Sequence, residues 1–376
     1  MKYTELREKI QNSPKYEGCR RIERSPLIHA GFPGTFNLSF TEHPWLSQYG
    51  RYVDFNHDYI FSAVQSCIRF NDFDFMQGDK AWKYLGVFEM ADLSGAIGLK
   101  NKFTDDAVHR KQIFDLVSFL GELGFSPEKV YPSYCGGGKV AELTNGKYSF
   151  DYEVVEDQVS KIAFLESGVP ERNLTQDKSR DTFLSINLKK EEQGRGISLA
   201  YSSWGYRNEV NLSIYEGRLL DIGTLERFAW TPRWEGEEII GLNDTCCGFS
   251  IAAFGLERLC MAANGLERVQ DIDYIKPFYD EMKKHGAEDS LSGESLRALH
   301  RIYSDMVKFS IRDLGRHRRS KIKKILDNIP LGIKEEQLRD LLLVHSETQP
   351  WHKELKDGIE LTLERIKSYR KAKKIG

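Results

Sequence analysis

The chain is poor in the features that staple or anchor a fold from outside. Its six cysteines (Cys19, Cys67, Cys135, Cys246, Cys247 and Cys260) are scattered, with no Cys-x-x-Cys pair and no histidine at ligand spacing. A structural zinc site or a disulfide scaffold is therefore not expected. No run of 18 apolar residues occurs, and the opening residues read as a charged amphipathic helix instead of a signal peptide, which makes the cytoplasm the expected location. A Gly-x-Gly-x-x-Gly crossover is missing, so nothing suggests a doubly wound dinucleotide fold. Gly136-Gly137-Gly138-Lys139 lacks the first glycine spacing and the trailing hydroxyl residue of a phosphate loop, since Val140 follows the lysine; it reads as a flexible turn.

What is present is an ordinary globular composition, 40% hydrophobic and 29% charged over 376 residues, enough for one large domain and a smaller one. An opening helix over residues 3 to 11 leads through Pro26, Gly31, Pro33 and Gly34 to an alternating strand at Phe36–Phe40. Asp105-Asp106 can cap a helix whose Ile113, Leu116, Val117 and Leu120 share a face, and 155–166 reads as another. Leu184, Ile186 and Leu188, then Val210, Leu212 and Ile214, alternate with polar residues, and a turn at Glu216-Gly217 leads to a strand over 219–228. Beyond residue 276 the period is helical, with Leu296, Leu299, Ile302, Tyr303 and Met306 on one stripe. The expected fold is α+β, a mixed, mainly antiparallel sheet flanked by helices, over residues 1–275, with a second, all-helical and basic domain over 276–376.

The net charge of −2 hides a strong asymmetry. Residues 312–324 carry seven Lys or Arg against one Asp, and 365–374 carry six against none. A phosphate backbone is one partner for such a patch, although solvated helix faces can have the same composition.

Two stretches carry chemistry. Around 64–70 and 85–90, two apolar strands flank a polar loop, and Arg69 ends the first; its fork suits two phosphate oxygens at once. Phe88 on the returning strand could stack a base. Ala253-Phe254-Gly255-Leu256-Glu257-Arg258-Leu259 then puts a glycine at a close approach and opens a helix carrying Arg258. In this order, Cys67-Ile68-Arg69, Phe88-Glu89-Met90 and Gly255-Leu256-Glu257-Arg258 resemble the class II aminoacyl-tRNA synthetases, most closely the catalytic region of alanyl-tRNA synthetase.

The resemblance spans roughly residues 25 to 326 and includes neither that family's editing domain nor its carboxyl-terminal module. It implies that ATP is bound by Arg69, Phe88, Glu89, Met90, Gly255, Glu257 and Arg258. Arg69 would hold the α-phosphate and the substrate carboxylate, and Arg258 the γ-phosphate. Mg2+ would bridge the phosphates, with Glu209 and Asp221 as its acidic neighbours. The amino-acid pocket would include Leu184, Thr224, Glu226 and Ile251. Ile251 stands where the family places the aspartate that receives the ammonium group, so the amine is expected on Glu226 or Asp244, or the substrate is not alanine. The basic segment, with Arg316, Arg318, Arg319, Lys321, Lys323 and Lys324, resembles part of the family's tRNA-recognition domain. The implied activity is therefore activation of an amino acid as its adenylate and transfer to a tRNA acceptor stem. Delivery to a carrier protein or small molecule, and a catalytically silent tRNA-binding role, are the alternatives.

Overall fold

The computed structural model describes residues 1–12, 19–28, 59–99, 105–185, 204–287 and 289–375. Strands β1 (Arg20–Ile22), β2 (Tyr59–Cys67), β3 (Phe88–Leu99), β4 (Val130–Cys135), β7 (Thr175–Asp177), β8 (Phe183–Ser185), β9 (Trp204–Ser213), β10 (Leu219–Glu235) and β11 (Glu238–Gly255) form one sheet. Its order is β1-β2-β3-β11-β10-β9-β4-β7, with β8 beside β9. Only β1–β2 and β4–β7 pair parallel among the described residues. A two-stranded ribbon, β5 (Gly138–Lys139) and β6 (Glu153–Val154), holds the glycine turn, in which Gly137 and Gly138 have φ of 69° and 139°.

Alternation in β9 turns Asn208, Val210 and Leu212 to the interior and leaves Arg207 and Glu209 half-buried on the other face. Val210, Leu225 and Phe254 join one core with α1 (Tyr3–Asn12), α2 (Asp105–Glu122), α3 (Gln158–Glu166) and α4 (Leu256–Ala263). Each fully buried Leu or Phe there stabilises by roughly 1.5–3 kcal/mol. Helices thus cover one face, and the other carries the cleft described below.

Several boundaries move from expectation. The first hairpin strand ends at Cys67, and Arg69 caps a tight helical turn, Phe70–Phe75. The return begins at Phe88 and pairs with Cys67. Helix α3 begins at Gln158, because the Asp157 carboxylate accepts the Ser160 N–H at 3.3 Å and fixes the start. The strand expected at Phe36–Phe40, and Ile186 and Leu188, lie outside the described residues. Strand β11, central in the sheet, was not anticipated.

The remaining helices, α5 (Lys276–Lys284), α6 (Ser290–Lys308), α7 (Gly315–Asp327), α8 (Glu335–Glu347) and α9 (Glu354–Ile375), enclose a second core. Ile68, Phe73, Met76 and Val87 from the β2–β3 connection enter it, so the arginine-bearing segment rests on the helical part. No described helix is long and apolar enough to cross a membrane.

A buried ionic seam runs along α6. Asp305 accepts from Arg24 at 2.8 Å and from the Leu27 N–H at 2.8 Å. Arg301 donates to Glu354 at 3.0 Å and to Ser66 Oγ at 3.0 Å. Glu294 accepts the Gly86 N–H at 2.7 Å. Arg301 also donates to His352 Nδ1, which leaves the proton on Nε2 to donate to Glu89 at 3.0 Å. On its other side Glu89 accepts from Arg7 at 2.9 Å.

Burial pushes the His109 imidazole down to about 4 and His300 to about 3, and lowers His345 and His352 as well. A histidine whose folded value lies below its unfolded 6.5 contributes stability above pH 6.5 and loses it as pH falls. Burial also pushes Glu209 and Glu257 up to about 7 and raises Asp72, which works oppositely, but four imidazoles outnumber three carboxyls. The thermal midpoint is accordingly expected to drop between pH 6.5 and 4.5; a midpoint flat or rising over that range in a calorimetric pH series contradicts this account.

Candidate functional site

On the open face of the sheet a cleft of about 220 Å³ is floored by β3, β11, β10 and β9 and walled by the β2–β3 connection and the start of α4. Register sets the floor in rows. Met90 pairs with Gly255, Ala253 with Thr224 and Thr224 with Glu209, while Ile251 pairs with Glu226 and Glu226 with Arg207. A register shift between Asp221 and Gly223 lets Asp221, Ile222 and Gly223 all border the cleft.

Arg69 and Arg258 line this same cleft, with Phe88 and Met90 also on its surface. The Arg258 guanidinium donates to the Asp221 carboxylate at 2.7 Å, to the Asp221 carbonyl at 3.0 Å and to the Lys83 carbonyl at 3.2 Å, and lies 5.5 Å over the Tyr84 ring. Arg69 is exposed, and its side chain makes no hydrogen bond or ion pair among the described residues. One arginine is thus oriented in advance, and the other is available.

Asp72, Lys83 and Arg207 also line the cleft, and none was singled out in the sequence. Asp72 is 8% exposed and has no hydrogen bond to its carboxylate among the described residues; burial raises its affinity for a proton, against the pull of Arg69 and Arg258. Burial and the nearby Arg258 charge lower Lys83. Arg207 donates to Glu226 at 3.1 Å and stands 3.9 Å from Glu209. Its signal was visible, since Arg207 and Glu209 are two apart on an alternating strand and must share a face. Glu209 is pushed up to about 7, first by burial and then by Asp221.

The structure brings Arg69, Phe88, Met90, Glu209, Asp221, Thr224, Glu226, Ile251, Gly255, Glu257 and Arg258 to one cleft. It does not bring Glu89, which faces the opposite side of β3 in the contacts with Arg7 and His352, well below its usual carboxyl range because of them. Leu184 is buried on β8 opposite Gly205, and Asp244, on β11, pairs with Trp230 of β10; neither borders the cleft. Glu257 does, but its carboxyl is engaged by the Glu89 N–H at 3.0 Å and the Tyr274 hydroxyl at 2.6 Å.

Of the basic residues on α7, Arg316, Arg319, Lys323 and Lys324 are exposed. Arg318 is buried, one turn before Ile322 on the inward stripe, and so leaves the charged surface. Lys321 Nζ sits 5.1 Å over the ring of Phe70, the residue after Arg69. The basic helix therefore abuts the rim of the cleft.

Gly255 corrects another expectation. Its φ is −75°, and an added Cβ would stand 3.9 Å from Ile222 O and Met90 Sδ, so the missing side chain leaves ligand space instead of permitting a backbone contact. Gly223 is the close approach: a Cβ there would lie 2.1 Å from Ala253 O.

No family model matches the chain, and no curated protein matches it in sequence. Among solved structures it is similar to the RNA binding domain of threonyl-tRNA synthetase from Cryptosporidium parvum Iowa II, at 12% identity and a TM-score of 0.39 over 76% of this chain and 74% of that one. It is also similar to pyrrolysyl-tRNA synthetase from Desulfitobacterium hafniense, at 15% identity and a TM-score of 0.29 over 72% of each chain.

The two glycines separate folding from binding. Gly223→Ala is expected to lower the thermal midpoint, by about 1–2 °C for each kcal/mol of clash. Gly255→Val is expected to keep the midpoint near wild type while abolishing stabilisation by ATP; a destabilised Gly255→Val, or one that still responds to ATP, contradicts the geometry.

Proposed function

We propose that the chain is an ATP-dependent, amino-acid-activating ligase of the class II synthetase kind, which forms an aminoacyl-adenylate and passes the aminoacyl group to tRNA. The observation that carries this reading is the convergence of Arg69 and Arg258, far apart in sequence, on one cleft beside Phe88. Activating a carboxylate with ATP needs the attacking oxygen held in line with the α-phosphorus while charge builds on the phosphoryl oxygens. Positioning and electrostatics supply most of that rate.

Arg69, uncommitted, is suited to the α-phosphate and the incoming carboxylate. Arg258, fixed by Asp221, offers its remaining N–H groups to the far end of a bent triphosphate, and Phe88 supplies an apolar face for the adenine. No group of three or more His, Cys, Asp or Glu among the described residues could hold a metal by itself. Asp72, buried and unbonded, and Asp221 beside it fit Mg2+ that takes its other ligands from phosphate and water. Bound there, the ion would neutralise phosphate charge.

Acceptor binding is assigned to the exposed cations of α7, since Lys321 links that helix to the segment that carries Arg69. Ile251 cannot neutralise an ammonium group, so the substrate amine must be met by another residue of the cleft.

Amino-acid-dependent ATP–pyrophosphate exchange, screened over the twenty amino acids, tests the reading. Exchange is expected with at least one of them, and a loss on the order of 100-fold or more in Arg69→Ala and Arg258→Ala. Exchange that survives both substitutions would falsify the assignment. Reversing Arg316, Arg319, Lys323 and Lys324 to Glu should leave exchange intact and weaken tRNA binding by more than about tenfold, with a shallower salt dependence; unchanged tRNA affinity would move the acceptor elsewhere.

A further inference from the structure

Five carboxylates line the cleft, and three of them are committed to a protein partner. Asp221 is bonded to Arg258 at 2.7 Å, Glu226 to Arg207 at 3.1 Å, and Glu257 to the Tyr274 hydroxyl at 2.6 Å. Asp72 carries no such bond, but its charged neighbours are Arg69, Arg258 and Lys83 against Asp221 alone, three cations to one acid, and it is the carboxylate that the proposed function gives to Mg2+.

Glu209 differs from all of these. Its ion-pair contact among the described residues is a long one, 3.9 Å to Arg207, whose Nε is already directed at Glu226. No described residue donates a hydrogen bond to its carboxylate, and the side chain is 30% exposed to the cleft. Its charged neighbours are Asp221, Arg207, Arg69 and Asp181, two acids against two arginines, so it lacks the cationic excess that surrounds Asp72. Glu209 lies in the floor row of Thr224 and Ala253, one row from Gly255 and Met90. Rows two residues apart are separated by roughly 7 Å, a span comparable with the reach from a phosphoryl group across an ester carbonyl to an α-amine.

We infer that Glu209 receives the α-ammonium group of the substrate while Arg69 holds its carboxyl, so that the cleft selects zwitterionic α-amino acids over acids that lack the amine. This rests on the adenylate-forming reading. It takes Glu209 out of the magnesium pair expected from the sequence and leaves Glu226 as the partner that orients Arg207.

Glycyl-sulfamoyl adenosine and acetyl-sulfamoyl adenosine, which differ by one amine, test it by calorimetry on the full chain. The wild type is expected to prefer the glycyl compound by more than about tenfold. Glu209→Gln should abolish that preference while holding the acetyl compound within about twofold of wild type, with a melting midpoint no lower than wild type and unchanged magnesium dependence of ATP binding. Glu226→Gln should keep the preference. Equal affinities in the wild type, a preference that survives Glu209→Gln, a loss confined to Glu226→Gln, or altered magnesium dependence in Glu209→Gln would each overturn the assignment of Glu209 alone. Failure of both compounds to bind the wild type would overturn the adenylate-forming reading and this inference with it.

Discussion

The structure depends on a line of charge that water does not reach. Glu294, Arg297, Arg301 and Asp305 repeat at three and four residues along α6 and are each no more than 2% exposed. They face inward onto Arg24, Ser66, Gly86, His352 and Glu354. Removing one member of such a buried set typically costs about 3–5 kcal/mol, because its partner is left charged and dry. Apolar residues could stabilise the same contact as well or better. What the charges add is direction, since a carboxylate that must meet a particular backbone N–H tolerates no sliding of one part over the other.

That constraint reaches the cleft within a few bonds. Ser66 and Gly86 bracket the connection that carries Arg69, and both are bonded to α6. The position of an exposed arginine is thus fixed by residues it does not touch. Inside the cleft the charges are nearly matched before any ligand arrives, with Arg258 on Asp221 and Arg207 on Glu226. Reorganisation on binding then falls on the few groups left over, which is the arrangement electrostatic catalysis needs.

The antiparallel sheet with helices on one face could be read from alternation in β9 and β10, and the two arginines from their segments. Strand β11 could not. Gly241, Asn243, Asp244 and Gly248 are turn formers, and only pairing overrides them, with β10 for the first three and with β3 for Gly248. The seam escaped for a related reason: a helical stripe of Glu, Arg and Asp looks solvated until its partners are known, and those lie far away in the chain. Asp72 and Lys83 were missed because irregular connections have no period. Glu89 was misplaced because membership in a motif does not say which way a strand residue faces. Its neighbour Phe88 borders the cleft and it does not.

Tyr3 stacks on Trp351 at 5.4 Å and contacts Tyr274 at 4.4 Å. Two segments separated by nearly the whole sequence therefore share one aromatic joint. Such remote pairing makes for slow maturation, since loop closure must precede its reward. A nascent chain still waiting for Trp351 would hold its first helix without that cover.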